Sequence, residues 1–270
     1  MNNIKSTLSL LLPALLFSIT AAAQKLPNLQ KEGLKAPNNI KINGKANEWG
    51  SLQAYNRAIQ ASYAIANDNN KLYLVVQSNR KEIINKIVNG GVTLTVNKTK
   101  KAINSGIGVT YPVFNMQDRP MINLNTLFDV ATGTTDGDRK MDSLVKMDNS
   151  MLSDKAKFIR LNNVDDADTL ISVYNKEGVK AYTAFDNNKT YTLEMAVNLK
   201  LLGLSAKDQT KFNYDIRFNA IQIDYVPGVE ITRNPDGVIT LMNVTNSKVA
   251  NSFISALNTT DCWGEYTLVK

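Results

Sequence analysis

From Ile40 onward, apolar and polar side chains alternate with a period of two over one short segment after another, the pattern of a chain that builds sheets. In Lys71–Ser78, Leu72, Leu74 and Val76 share one face while Tyr73 and Val75 occupy the other. Two apolar faces predict a central strand covered on both sides. Residues 60–66 precede it as a hairpin partner across the turn Asn67-Asp68-Asn69-Asn70. Val92, Leu94 and Val96 then alternate with Thr93, Thr95 and Asn97, and residues 106–113 form the next strand across a basic turn. Residues 169–174, 179–185 and 191–197 read as a meander, separated by Asn175-Lys176-Glu177-Gly178 and Asp186-Asn187-Asn188-Lys189. Phe212, Tyr214, Ile216 and Phe218 alternate with Asn213, Asp215, Arg217 and Asn219. The apolar parity afterwards slips to Ile221 and Ile223, which predicts a bulge near Ala220. Residues 238–244 and 263–269 supply two more strands.

Helical spacing is confined to a few places. Residues 82–88 predict a short amphipathic helix stopped by Asn89-Gly90-Gly91, and residues 199–204 a helical turn. Residues 114–161 break the strand rhythm, with loop chemistry at Gly133-Thr134-Thr135-Asp136-Gly137-Asp138. Met141, Leu144, Val145, Met151 and Leu152 then predict one helix over about 141–158, carried in an insertion on the edge or mouth of the sheet. At the start of the pattern, Ile40 and Ile42 flank Lys41, Asn43-Gly44 turns the chain, and Asn47 is placed to cap a helical turn that carries Glu48 and takes Trp49 inward. The fold class expected is all-β: a single antiparallel β-sandwich, immunoglobulin- or jelly-roll-like, over residues 40–270, with one inserted helix and short helical turns.

Composition changes this picture mainly by adding a compartment. Lys5, the apolar run from Leu8 to Thr20 and the small residues Ala21-Ala22-Ala23 read as a signal peptide over residues 1–23, so the mature chain is expected to be exported, periplasmic or extracellular, with no membrane span after cleavage. Residues 24–39, with Pro27, Gly33 and Pro37, read as a polar leader on the domain surface. The formal charge of +7 is spread over single residues, apart from Lys98-Thr99-Lys100-Lys101, which reads as a solvated hairpin tip; no nucleic-acid partner is expected. Cys262 is the only cysteine, so no intramolecular disulfide can form, and beside Trp263 in an apolar final strand it reads as a small buried hydrophobe.

The chain contains no histidine, which excludes Ser-His-Asp and Cys-His nucleophiles and His-based zinc sites. A two-carboxylate glycosidase would have to draw on Glu177, Glu194, Asp215 and Glu230, and no spacing marks a pair among them. Hard oxygen donors cluster at Asp136, Asp138 and Asp142, and more densely at Asp165, Asp166 and Asp168 beside Asn162 and Asn163, the better calcium candidate. Asn213, Asp215, Arg217 and Asn219 share one strand face, and Thr192 and Glu194 join them if the two strands are neighbours; such a row of hydrogen-bonding groups suits a polyol. The alternative is a solvated outer face with a Glu194 to Arg217 cross-strand pair. Tyr111, Phe114, Tyr182, Phe185 and Tyr225 are candidate stacking platforms, whereas Trp49 and Trp263 are expected in the core.

Ile42-Asn43-Gly44 followed by Asn47-Glu48-Trp49, then Lys71-Leu72-Tyr73-Leu74-Val75-Val76, then Tyr191-Thr192-Leu193-Glu194-Met195-Ala196-Val197, resembles the family 9 carbohydrate-binding modules and related DOMON-like sandwiches. The ending Asp261-Cys262-Trp263-Gly264-Glu265-Tyr266 is similar to the closing strand of exported bacterial proteins with that sandwich. The resemblance implies an exported, non-catalytic module that binds a glycan, with Asn43, Gly44, Trp49 and Trp263 as structural residues. The pattern favours Asp where this chain has Asn43 and Asn47, so a calcium at that corner is not implied. Haem-binding members of the DOMON branch need axial ligands; without His, and with only scattered methionines such as Met116 and Met195, haem is not expected here. The other function class compatible with the residues is an envelope structural or interaction protein that keeps the sandwich without a sugar site and binds a protein partner.

Overall fold

Strand segments of the computed structural model pair into two stacked antiparallel sheets and one separate ribbon. The structure describes residues 25–99, 101–102, 105–115, 118–165, 167–221, 229–235, 238–247 and 255–270. The expected signal peptide lies outside these, as do Met116, Asp166, Tyr225 and the second of the two parity-slipped isoleucines, Ile223. In chain order the elements are a 3-10 turn (Asn47–Trp49), β1 (Ala54–Asn56), β2 (Ala61–Asn67), β3 (Lys71–Ser78), α1 (Lys81–Gly90), β4 (Val92–Asn97), β5 (Ile107–Val113), α2 (Leu124–Asp129) and α3 (Thr135–Lys155). They continue with β6 (Phe158–Asn162), β7 (Leu170–Ser172), β8 (Val179–Phe185), β9 (Tyr191–Asn198), β10 (Lys211–Phe218), β11 (Val229–Arg233), β12 (Ile239–Val244) and β13 (Thr260–Thr267). One sheet runs β1-β2-β3-β9-β8, the other β13-β10-β4-β5-β6-β7, and β11 pairs with β12 alone. No helix among the described residues is long and apolar enough to cross a membrane.

The core follows from the alternation. Leu72, Leu74 and Val76 of β3 and Leu193, Met195 and Val197 of β9 pack in one cluster with Leu94, Val96, Phe212, Tyr214, Ile216 and Phe218 of the opposite sheet. Full burial of such side chains stabilises by about 2 kcal/mol each, so this layer dominates the fold. Across it, the hydroxyls of Tyr63 and Tyr214 meet at 2.8 Å, joining the two sheets in their interior. The reverse face of β3 is also apolar because a second cluster covers it: Tyr73, Val75, Ala64, Ala66 and Ala196 lie beneath Ala36, Ala46, Trp49 and Leu52. The prediction that β3 is central and buried on both sides holds, and the chain segment ahead of β1 supplies the second cover.

That segment is built in rather than merely lying on the surface. β1 pairs only with Ala61–Tyr63, and past its end the Gln30 side chain takes over, donating to Ile65 O and accepting from Ile65 N at 2.8 Å each. Asn67 N then donates to Leu34 O, and Ala36 N to Asn67 O. At Leu34 the Tyr266 hydroxyl of β13 accepts from the amide and donates to the carbonyl, tying this segment to the other sheet.

Several elements differ from the sequence expectation, β1 and α2 being absent from it. The long helix starts at Thr135 because the Thr134 hydroxyl accepts from Gly137 N and the acidic residues Asp136 and Asp138 occupy its first turn; the segment read as loop chemistry is a capped helix start. It ends at Lys155, and Phe158 opens β6, a strand inside the segment read as an insertion; Met141, Val145 and Leu152 of α3 belong to the main core. β10 ends at Phe218, with Asn219 N donating to Gly91 O and Ile221 N to Ala256 O, so the parity slip falls after the strand and no bulge forms near Ala220. At the opening corner, Ala46 at φ 51° precedes the 3-10 turn and no side chain caps it, so Asn47 does not act as the cap; Asn43 Oδ1 does shape the turn, accepting from Lys45 N.

Candidate ligand-binding trough

Because period two sends Phe212, Tyr214, Ile216 and Phe218 of β10 inward, Asn213, Asp215 and Arg217 point to the outer face of their sheet. Register then fixes what lies beside them. Opposite Asn213, Asp215 and Arg217, β4 places Asn97, Thr95 and Thr93. Thr93 faces Thr110 and Thr95 faces Gly108 on β5; Thr110 faces Arg160 and Gly108 faces Asn162 on β6. One transverse row therefore reads Arg217, Thr93, Thr110, Arg160, and the next Asp215, Thr95, Gly108, Asn162.

This face is concave, an open trough of about 700 Å³. Gly106 and Gly108 leave its floor without side chains: a Cβ at Gly108 would lie 3.3 Å from Asn162 Nδ2, and one at Gly106 2.6 Å from Thr95 Cγ2. Pro112, Val113, Phe114 and Arg119 wall one end, and Asn219, Ala220 and Thr259 line another part. Its polar groups are already ordered. Thr93 and Thr110 share a 2.7 Å hydroxyl contact, and Asn219 Nδ2 donates to Thr93 Oγ1 at 3.0 Å and to Gly90 O at 3.0 Å. Asn163 Nδ2 donates to Gly106 O at 2.7 Å, holding the loop after β6 against the floor.

The trough lining carries Arg119, Arg160 and Arg217 and, among the described residues, no Asp or Glu. Asp215 points to the same face but is fully buried beside Arg217, whose Nη2 lies 3.1 Å from Asp215 Oδ2 and 3.9 Å from Asp261 Oδ2. The pair lacks hydrogen-bond alignment at the carboxylate, and burial pushes the Asp215 acid up to about 7, against the pull of Arg217 and with a further push from Asp261. Burial lowers the Arg119 pKa from its usual value. Arg160 is exposed, and its side chain has neither a hydrogen bond nor an ion pair to a described residue.

Of the residues chosen from sequence, Phe114, Arg217 and Asn219 line the trough, Asn213 and Asp215 lie on the same sheet face outside its lining, and the others are elsewhere. Glu194 is the main correction. β9 belongs to the other sheet and does not neighbour β10, so neither the extended polar row nor the Glu194 to Arg217 pair exists. Glu194 is fully buried on the far side of the sandwich, where its carboxylate accepts from Asn43 N (2.9 Å), Gly44 N (2.7 Å) and Trp49 Nε1 (2.9 Å). Thr192 lies on β9 with it and accepts from Gln77 Nε2. Glu194 and Asp215 thus face opposite directions and cannot act as a carboxylate pair.

Tyr111 points into the core and donates to Ala156 O; with Tyr182 it lines a separate cavity of about 190 Å³ by the end of α3, away from the trough. Phe185 is buried edge-on against Tyr191 at 5.0 Å. Trp49 is buried as expected, although in the outer cluster. Trp263 is not a core residue: Cys262 and Gly264 are buried, which turns Trp263 outward, half-buried and directly opposite Asp215. Cys262 is buried and free, and burial pushes its thiol up to about 12, out of reach of nucleophilic chemistry at neutral pH. Asp165 and Asp168 are exposed, Asp166 lies outside the described residues, and no three acidic or Cys residues come together among those described. Asp136 pairs with Arg139, and Asp142 accepts from Asn187 Nδ2.

Sequence reasoning missed Thr93, Thr95, Thr110, Gly106, Gly108, Arg160 and Asn162. The alternation of β4 marks Thr93 and Thr95 as outward, but their partners on β6 lie in a segment read as an insertion with one helix over about 141–158, where no strand is expected. No protein-family model matches the chain, and no curated protein matches it.

Proposed function

We propose that the chain is an exported, non-catalytic module that binds carbohydrate along the outer trough of the β13-β10-β4-β5-β6-β7 sheet. The observation that carries this reading is the lining itself: threonine hydroxyls, asparagine amides and guanidinium groups in register above a glycine floor. Each sugar hydroxyl both donates and accepts, so a ligand rich in them needs a surface that does both. Thr and Asn provide that, and Arg adds donors in a fixed plane. Pro112, Val113 and Phe114 give the trough one apolar wall for a sugar face. The resemblance of the Asn43 to Trp49 corner and the Tyr191 to Val197 strand to family 9 carbohydrate-binding modules favours the same class. The non-catalytic part rests on a lining that, among the described residues, offers no carboxylate to a bound chain, while Asp215 is sealed beneath it.

Affinity electrophoresis of the mature chain through gels containing a broad panel of polysaccharides tests this reading. Retardation in at least one gel, lost in Gly108→Leu at unchanged melting temperature, is the expected result, since the new side chain would occupy the floor, its Cβ meeting Asn162 Nδ2 at 3.3 Å, Asn162 Cβ at 3.4 Å and Thr93 Cγ2 at 3.7 Å. Unretarded migration throughout the panel would remove the proposal.

One observation favours a second reading, an envelope interaction protein. The β11–β12 ribbon exposes Val238 (59%), Leu241 (61%) and Val244 (44%). Crosslinking in envelope extracts, compared between the wild type and Leu241→Ser with Val244→Thr, would support this reading if one specific partner were lost in the variant.

A further inference from the structure

We infer that the trough selects acidic glycans, sugar chains bearing carboxylate or sulfate groups, over neutral ones; the inference rests on the carbohydrate reading above. All the ionised side chains lining the trough among the described residues are guanidinium groups: Arg119, Arg160 and Arg217. A neutral sugar is served by hydroxyls and amides, which the Thr and Asn positions already provide. Guanidinium is the group whose paired N–H donors match the two oxygens of a carboxylate or sulfate.

Arg160 is the decisive side chain. It stands exposed at the β6 end of the transverse row, on the trough lining, and its guanidinium makes no hydrogen bond or ion pair to a described residue. A neutral chain lying over Arg160 would strip water from a cation and return only dipoles. An acidic chain returns a full countercharge, so the same contact penalises one ligand and favours the other. Arg217 closes the other end of the row, three strand spacings away, or roughly 14 Å. Arg217 is held there by Asp215 and Asp261, so Arg160 carries the charge recognition, with Thr93 and Thr110 between the two for the chain's hydroxyls.

The carboxylates near this face do not cancel the effect. Asp215 and Asp261 are both drawn to Arg217, at the β10–β13 side, and leave the β6 side to Arg160. The face also argues for sugar over nucleic acid: among the described residues Phe114 is the only aromatic lining the trough, whereas a single-stranded nucleic acid is held by a platform for each of several bases.

Isothermal titration of the mature chain with matched pairs of ligands tests the inference: oligogalacturonate against its methyl ester, and dextran sulfate against dextran, with a single-stranded oligodeoxynucleotide as a further probe. The acidic member of at least one pair is expected to bind about tenfold tighter, and which pair responds tells carboxylate from sulfate. Arg160→Gln is expected to erase most of that ratio and Arg160→Glu to invert it. Lys45→Gln, which removes the same charge from the exposed corner on the opposite side of the sandwich, is expected to leave the ratio alone. Equal binding within both pairs would overturn acidic selection while leaving the carbohydrate reading intact. Absence of binding to any of the glycans here and in the gel panel would overturn both. Tighter binding of the oligonucleotide than of either acidic glycan would overturn the assignment to sugar.

Discussion

Glu194 and Asp215 are both fully buried carboxylates on strands, and their surroundings give them opposite roles. Glu194 is matched by three N–H donors from the corner; burial raises its pKa, the donors from Asn43, Trp49 and Gly44 hold it back, and Glu48 adds to the rise. Glu194→Ala would orphan all three donors and release Trp49 from β9, so a loss of about 3 kcal/mol is expected in urea denaturation, with a smaller loss for Glu194→Gln. Asp215 lacks such donors, and the folded protein holds its proton up to about pH 7 against a usual value of 3.8. A raised acid pKa means that the folded state binds more protons than the unfolded one between those values. Its stabilising contribution is complete below pH 3.8 and is lost as pH rises through about 7. Asp148, raised by burial to about 6, acts in the same sense. Lys86 works in reverse: burial lowers it to about 8, with only the Thr260 hydroxyl as partner, so its contribution returns as pH climbs from there toward 10.5. Asp215→Asn is expected to flatten the decline in unfolding free energy between pH 4 and 7 by a few kcal/mol, measured by urea titration at successive pH values.

At the scale of elements, the contact between β10 and β13 depends on one missing side chain. A Cβ at Gly264 would stand 2.2 Å from the Tyr214 hydroxyl, the group that bonds Tyr63 across the sandwich. Gly264→Ala is expected to cost about 1–3 kcal/mol, with a changed near-ultraviolet tyrosine signal as the ring is displaced. The same two strands show what local pattern can and cannot reveal. β3, β8 and β10 were legible because alternation there is uninterrupted, and the apolar second face of β3 announced a second cover. β6 was not, since Phe158 continues the helical spacing of Met151 and Leu152 and the break at Ala156 carries no Gly or Pro. Alternation also assigns a residue to a face of its strand without saying which sheet the strand joins. That is why Asn213, Asp215 and Arg217 were grouped correctly and Glu194 was added wrongly. Trp263 was misplaced for a related reason: a lone large aromatic was given more weight than the parity set by Cys262 and Tyr266.

Over the whole molecule, the two sheets have unlike outer surfaces. One is covered by the corner and the segment ahead of it, and the other is open, with glycines where a sandwich would ordinarily carry outward side chains. The cover has a further effect where β1 stops short and the Gln30 amide completes the hydrogen bonding of β2 at Ile65. A strand left with unpaired amides is a template for another chain, so the Gln30 amide, with the Leu34 and Ala36 pairing to Asn67, shields this edge from association. If the chain is exported as proposed, cleavage after Ala23 would spare the amide, whereas trimming to Gly33 would remove it. Chains beginning at Gly33 are expected to scatter light and bind thioflavin at concentrations where chains beginning at Gln24 stay dispersed, and Gln30→Ala is expected to fall between them. Colloidal behaviour would then depend on a short segment ahead of β1 that caps the edge of β2.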